Sequence, residues 1–273
     1  MIKRRNQGHH LFLSIYCVVV LVPFIWLILG SIKSKEEFNI NPAGLPEYFA
    51  IENFAKAWND VNLPLAMMNS TIVCLSGVFG VILAASLASF AVVRIRSRVG
   101  SSILALMIAG LMIPVNAAVI PLFVLAGDLG LLNTRIGLII PVIAFNLPFA
   151  MLLISAWIQN IPDELFDSGK IDGASTIQLF ISLAVPLSLP IFGAIAIITF
   201  VNIWNEFLLS LVILSGPDMR TVPLATAIFR GVYSINRGFI CAGVLITIIP
   251  VIIFYLLFHK SILSGISEGG IKG

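Results

Sequence analysis

Six stretches of this 273-residue chain are apolar for about 20 residues or more, and no other feature limits its fold as strongly. They cover residues 11–30, 67–93, 101–124, 136–157, 187–211 and 239–258. Inside hydrocarbon there is no water to pair with backbone N–H and C=O groups, so each stretch must satisfy its hydrogen bonds internally. An α-helix does this at 1.5 Å per residue, and about 20 residues cross an apolar layer of roughly 30 Å. The expected fold is all-α: a polytopic membrane protein with six transmembrane helices.

Composition agrees. With 59% hydrophobic and 11% charged residues, the chain has too few charges to cover a water-facing surface of its length. A net charge of +3, carried by scattered cations, makes no stripe for nucleic acid. Cys17, Cys74 and Cys241 each lie in an apolar run without a second Cys or His at ligand spacing. His9, His10 and His259 flank spans. Neither a metal site nor a disulfide framework is expected, and no cofactor is required. No clustered nucleophile, base and metal set points to an enzyme.

The first span follows Lys3-Arg4-Arg5. Its apolar run of about 19 residues exceeds the usual signal-peptide core of roughly 7–15, and no A-x-A-like site follows. An uncleaved signal anchor is expected, with the N-terminus inside. The cytoplasmic segments then hold Lys3, Arg4, Arg5, Arg94, Arg96, Arg98, Lys170, Lys260 and Lys272, nine of the 16 cations. Both dense clusters fall inside, where short basic loops set orientation. Both termini are placed in the cytoplasm. Residues 31–64 form an external cap, in which 52–58 can make a short interfacial helix with Phe54 and Trp58 on one face. The organisation is thus 1–66, first helix and cap, and 67–273, a five-helix core with a cytoplasmic loop over 158–186. Gly77, Gly80, Ala84 and Ala88, spaced by three and four along the second span, let another helix approach closely.

Residues 161–190, which take in most of that loop, read as a charged island between two spans. Pro162 suits a helix start, and Asp163 and Glu164 place negative charge at the positive end of the helix dipole. Asp172-Gly173 breaks this helix, and Ser175-x-x-Gln178 is a capping-box pattern that starts a second one leading into the fifth span. The result is a helix–turn–helix elbow outside the bilayer. An elbow in that position must rest against another body.

Its residues resemble the cytoplasmic EAA loop of permease subunits of binding-protein-dependent ABC importers, in particular the sugar-importing branch. The family's Glu-Ala-Ala, Gly and closing Leu-Pro pattern falls on Asp167, Ser168, Gly169, Gly173, Leu183, Val185 and Pro186. Asp for Glu and Ser-Gly for Ala-Ala depart from the pattern while keeping charge and small size. The resemblance implies that Asp163, Glu164, Asp167, Ser168, Gly169, Asp172, Gly173, Ala174 and Pro186 couple the chain to an ATPase subunit. No G-x-x-x-x-G-K-[ST] loop occurs in the chain itself, so energy must come from elsewhere.

Glu206 is the one carboxylate in an apolar stretch, and an ionised group at mid-bilayer costs about 2.5–3.5 kcal/mol or more. With Asn202, Trp204 and Asn205 it offers the amides and aromatic face that sugar hydroxyls and C–H groups need. A structural ion pair or gate fits Glu206 equally. The stretch 204–211 resembles the fifth-span segment of sugar importer permeases, and residues 112–114, 121–122, 130–134 and 265–273 also look like this family. The tail has Ser267-Glu268 where small apolar residues are usual. What the resemblance implies is a prokaryotic inner-membrane complex: this chain, a second permease subunit, an ABC ATPase dimer, an external solute-binding protein and a sugar as cargo. Arg230 and Tyr233, in the outer stretch 215–237, would meet the binding protein. The competing reading is a secondary transporter driven by an ion gradient, which six spans alone permit. It leaves the elbow without a purpose.

Overall fold

The computed structural model describes residues 2–94, 98–232 and 236–269. Helices α1 (Ile2–Ser31), α2 (Lys35–Ile40), α3 (Glu52–Asn59), α4 (Leu63–Arg94), α5 (Arg98–Gly110) and α6 (Val115–Asp128) form the first half of the chain. They are followed by α7 (Arg135–Gln159), α8 (Asp163–Ile171), α9 (Thr176–Leu179), a π-helical turn (Phe180–Ala184) and α10 (Val185–Leu187). The last four are α11 (Leu189–Trp204), α12 (Leu208–Ile213), α13 (Val222–Val232) and α14 (Arg237–Gly269). There is no strand among the described residues.

By length and composition, four helices can cross a membrane unbroken: His9–Ser31, Leu63–Arg94, Arg135–Gln159 and Arg237–His259. The other two expected spans are bent pairs. The third, expected over 101–124, is α5 plus α6 with a 102° bend between them. Pro114 has no N–H to continue α5 and takes an extended conformation (φ −70°, ψ 135°), while 111–113 close with tighter i→i−3 bonds. The fifth also differs from expectation. Residues 176–187 form one rod that turns 71° into α11, because Pro190 cannot donate back to the carbonyl of residue 186. That span ends at Trp204 rather than at 211; the chain unwinds over 205–207 and resumes as α12. Elsewhere helices run through Pro23, Pro121, Pro141, Pro148 and Pro250 without a break.

The chain divides into two compact units. In the first, residues 1–65 with 225–249, the expected cap is a knot of polar and aromatic contacts. Trp26 meets Phe38 edge-on with centroids 5.6 Å apart, and its indole N–H donates to the Pro42 carbonyl. Lys33 is wholly buried, and its ammonium donates to the Asn41 carbonyl at 2.6 Å. The Asn53 amide, on α3, donates to the carbonyls of Ser31 and Lys33, each at 2.9 Å. Only hydrogen fits at Gly238, where a Cβ would strike Asn53 and the Lys33 carbonyl. The predicted interfacial helix is α3, which buries Asn53 and Ala57 and leaves Trp58 exposed.

The second unit, residues 66–224 with 250–273, packs α4 against α7 and α11. A Cβ on Gly77 would lie 2.5 Å from Ile203 Cδ1, and one on Gly80 would strike Ile143, so both glycines serve close helix approach. Val81, Ala85, Ala150, Met151, Ile154 and Ile195 are nearly water-free among these helices. In water, burying a side chain the size of Val81, Met151, Ile154 or Ile195 contributes about 1.5–3 kcal/mol, and tight packing takes over that role in lipid. At one end, Arg135 donates through Nε and Nη2 to Asn69 Oδ1, and the Asn69 amide donates to the carbonyls of Asp218 and Arg220. Cys74 and Cys241 are buried and Cys17 is exposed, all three as free thiols.

Candidate functional site

The sequence-predicted elbow is present, and its turn has a defined cause. α8 begins at Asp163 after Pro162 in extended conformation, with Asp163 and Glu164 in the first turn and Lys170 in the last. It ends in a Schellman motif: the Ala174 N–H donates to the Gly169 carbonyl and the Gly173 N–H to the Lys170 carbonyl, at 2.9 and 3.0 Å. That motif needs a left-handed residue after the cap at Asp172, and Gly173 supplies it with φ +83°. Ser175 then caps α9 with both capping-box bonds formed: Gln178 N–H to Ser175 Oγ, and Ser175 N–H to Gln178 Oε1. Both ends of the elbow are thus fixed by local hydrogen bonds.

The elbow is two-sided. Phe166 and Leu179 are buried in the core with Phe90, whereas Ile171 and Ile177 are 86% and 70% exposed on the opposite side. Asp167 pairs with Lys170 at 2.9 Å on the surface, and Ser168 donates to the Leu165 carbonyl. Gly169 has a role inside the elbow: a Cβ there would lie 2.6 Å from Leu179 Cδ2, so its small size lets the two helices close on each other. At Gly173 no atom lies within 4 Å of a built Cβ, so an added side chain would meet open space and a strained backbone. Ala174 is half-buried against the core and Pro186 is exposed in α10.

A residue that sequence reasoning assigned only to orientation joins this group. Arg94, at the end of α4, forms an ion pair with Asp163, donates through Nη2 to the Ile158 and Ile161 carbonyls at 2.8 and 2.9 Å, and lies 3.8 Å over the Phe166 ring. Its partners are 64 to 72 positions away, so no local pattern marks it.

The second candidate site is a cavity of about 390 Å³, within the range of small-molecule pockets, lined from α7, α11 and the break after it, with Val115 of α6 and Leu209 of α12. Asn146, Asn202, Asn205 and Glu206 provide its polar groups. Asn202 donates to Asn146 Oδ1 at 3.2 Å, which joins two of them. Trp204 departs from expectation. It is buried and stacked on Phe200 at 5.5 Å, because the 100° step per residue turns it away from the face that carries 202, 205 and 206. Phe145 is the aromatic wall instead. Glu206 also differs from its sequence reading: it lies in the break after α11, not within a helix, and its Oε1 accepts the Leu209 N–H at 2.8 Å. Its carboxylate therefore has a structural bond and a place on the cavity wall. Asn146 to Ile158 spans twelve residues of α7, so cavity and elbow lie roughly 18 Å apart along one helix. Of the expected outer contact pair, Arg230 belongs to the last turn of α13, with its side chain outside the described part, and Tyr233 lies outside the described residues. Among the described residues no group of three or more His, Cys, Asp or Glu side chains could hold a metal ion.

Residues 76–262 match the sequence model of the family described as binding-protein-dependent transport system inner membrane component. The chain is 33% identical to the diacetylchitobiose uptake system permease protein NgcG of Streptomyces coelicolor over 95% of its own length and 87% of the other protein's. It is 33% identical to the trehalose/maltose transport system permease protein MalG of Thermococcus litoralis, covering 94% and 93% of the two chains. Its fold matches a chain in the crystal structure of a bacterial ABC transporter involved in the import of the acidic polysaccharide alginate. The TM-score is 0.77 over 94% of this chain and 96% of that one, at 23% identity.

The Glu206 bond to the Leu209 N–H separates two carboxylate roles. Glu206→Gln keeps an acceptor for that N–H, whereas Glu206→Ala removes it and should destabilise the start of α12 by about 1 kcal/mol, the usual loss for a helix cap. Hydrogen exchange at the Leu209 amide should accelerate in the alanine variant and stay slow in the glutamine variant. Equal exchange in both would show that the side chain does not hold the break.

Proposed function

The chain belongs to the family of binding-protein-dependent transport system inner membrane components, and from that premise we propose how it works as the permease subunit of an ABC importer for a sugar or oligosaccharide. It forms one half of a translocation pathway, beside a second permease subunit. The elbow rests on a subunit of an ABC ATPase dimer, and both chain termini lie on that cytoplasmic side. An external solute-binding protein delivers cargo to the opposite face, where the 215–237 stretch with Arg230 and Tyr233 meets it.

The observation that carries this reading is the two-sided elbow. Its caps stiffen it, Phe166 and Leu179 bind it to the core, and Ile171 and Ile177 remain exposed. Asp163, Glu164, Asp167, Ser168, Asp172 and Pro186 are exposed around them, while Gly169, Gly173 and Ala174 shape the turn. A stiff projection with exposed apolar residues suits a cleft on a partner. The cavity supports sugar as cargo. Amides that both donate and accept, with Phe145 as a flat apolar wall, meet the needs of hydroxyls and C–H groups. Relatives named for diacetylchitobiose and for trehalose and maltose point the same way.

The test is reconstitution. Vesicles with the whole complex and binding protein should accumulate sugar only with ATP, and vesicles with this chain alone should accumulate none under proton or sodium gradients. Gradient-driven uptake by the isolated chain would establish the secondary transporter instead. Gly173→Val addresses the elbow directly. A β-branched residue at φ +83° costs about 1–3 kcal/mol of backbone strain, outside every span, so the chain should insert normally but lose ATPase copurification or uptake. Wild-type uptake with bound ATPase would remove the elbow from the docking role. For the outer contact, replacing Arg230 and Tyr233 together by Ala should lower binding-protein-stimulated hydrolysis in an assembled complex, and unchanged stimulation would count against it.

A further inference from the structure

If the elbow is where the ATPase pushes, the push must reach the cavity-lining helices, and Arg94 is placed to carry it. Its side chain is 12% exposed, and its planar guanidinium joins three pieces of chain to the end of α4. One arm pairs with Asp163 at the start of α8. The other donates to the Ile158 carbonyl at the end of α7 and to the Ile161 carbonyl in the connecting turn. The ring of Phe166 covers its face. A lysine has a single ammonium and cannot present two arms of a fork to these partners.

Apolar packing alone leaves this junction incompletely filled. Phe90 touches Phe166 and Phe180, with centroids 6.2 and 5.3 Å apart, but a cavity of about 200 Å³ remains between the end of α4 and the elbow. Arg94, Asp163, Asp167 and Lys170 line it. The aromatic contacts hold the elbow near α4, while the hydrogen-bonded guanidinium sets its position. From Arg94, α4 runs 17 residues, roughly 25 Å, to Gly77. There a Cβ would meet Ile203 and Val142, two residues of the cavity wall.

We propose that Arg94 is a positioning residue for coupling: it makes the elbow and α4 move as one body, so that displacement of the elbow is delivered through α4 to the α7–α11 cavity. The inference rests on the elbow's docking role. Its readout is the ratio of sugar imported to ATP hydrolysed, since a residue that merely supports the fold would lower both together.

The complex with its ATPase and binding protein, reconstituted with Arg94→Gln or Arg94→Lys, should retain the ATPase and continue to hydrolyse ATP. The transport-to-hydrolysis ratio should fall about tenfold in the Gln variant, within the usual span of coupling energies, and less in the Lys variant, which keeps the charge for Asp163. If the Gln variant fails to assemble, the ratio in the Lys variant decides. A wild-type ratio, a parallel fall of both activities, or failure of both variants to assemble would overturn the proposal. Wild-type complex that does not hold its ATPase through this chain would remove the docking premise itself, and the proposal with it.

Discussion

A backbone in hydrocarbon has no water to bond with, and the long helices of this protein and the places where they stop follow from how that constraint is met or released. Where it is met within one segment, the result is an unbroken helix such as α4 or α7. Where proline removes a donor at a helix boundary, as at Pro114 and Pro190, the backbone turns and the freed groups find other partners. The interior prolines of α7 and α14 show that proline alone does not decide this. A break also needs neighbouring residues to adopt a non-helical path.

Both candidate sites lie where the helices stop. The cavity lies at the unwinding of α11, where Glu206 accepts an N–H that the lost helix turn no longer satisfies. The elbow lies between α7 and α11, where a Schellman motif and a capping box satisfy the ends of two short helices from within. A short isolated helix is marginal in water, so these caps matter more here than in a long span. They let the elbow keep its shape with one face on the core and the other exposed. Arg94 also acts at a helix end, since its guanidinium is received by the Ile158 carbonyl at the end of α7 and the Ile161 carbonyl in the turn that follows.

Much of the elbow was legible because its signals are local. Pro162, Asp163, Asp172-Gly173 and Ser175-x-x-Gln178 act through neighbours within five residues, and their order alone specifies helix, turn and helix. Length and hydropathy likewise specify the membrane class, because the bilayer thickness converts directly into residues, whereas the bends that leave four unbroken spans and two bent pairs are set by the fold. The two-unit division drawn at 66–67 from sequence has no counterpart in periodicity that would reveal residues 225–249 as part of the first compact unit. Such grouping joins segments far apart in the chain.

Tertiary structure decided the rest. The choice of Phe145 over Trp204 as the cavity's aromatic wall depends on the rotation of α11 against α7, which is set by packing partners such as Gly77 with Ile203. The placement of Gly169 against Leu179, and of Arg94 among Asp163, Ile158, Ile161 and Phe166, depends on which elements meet across dozens of residues. By itself the sequence determined an all-helical membrane chain with a capped elbow between its spans, since those features need only near neighbours and the thickness of a bilayer. Only the fold could decide which side chains face the cavity and what holds the elbow to α4, because these are contacts between surfaces whose rotation and approach no single segment encodes.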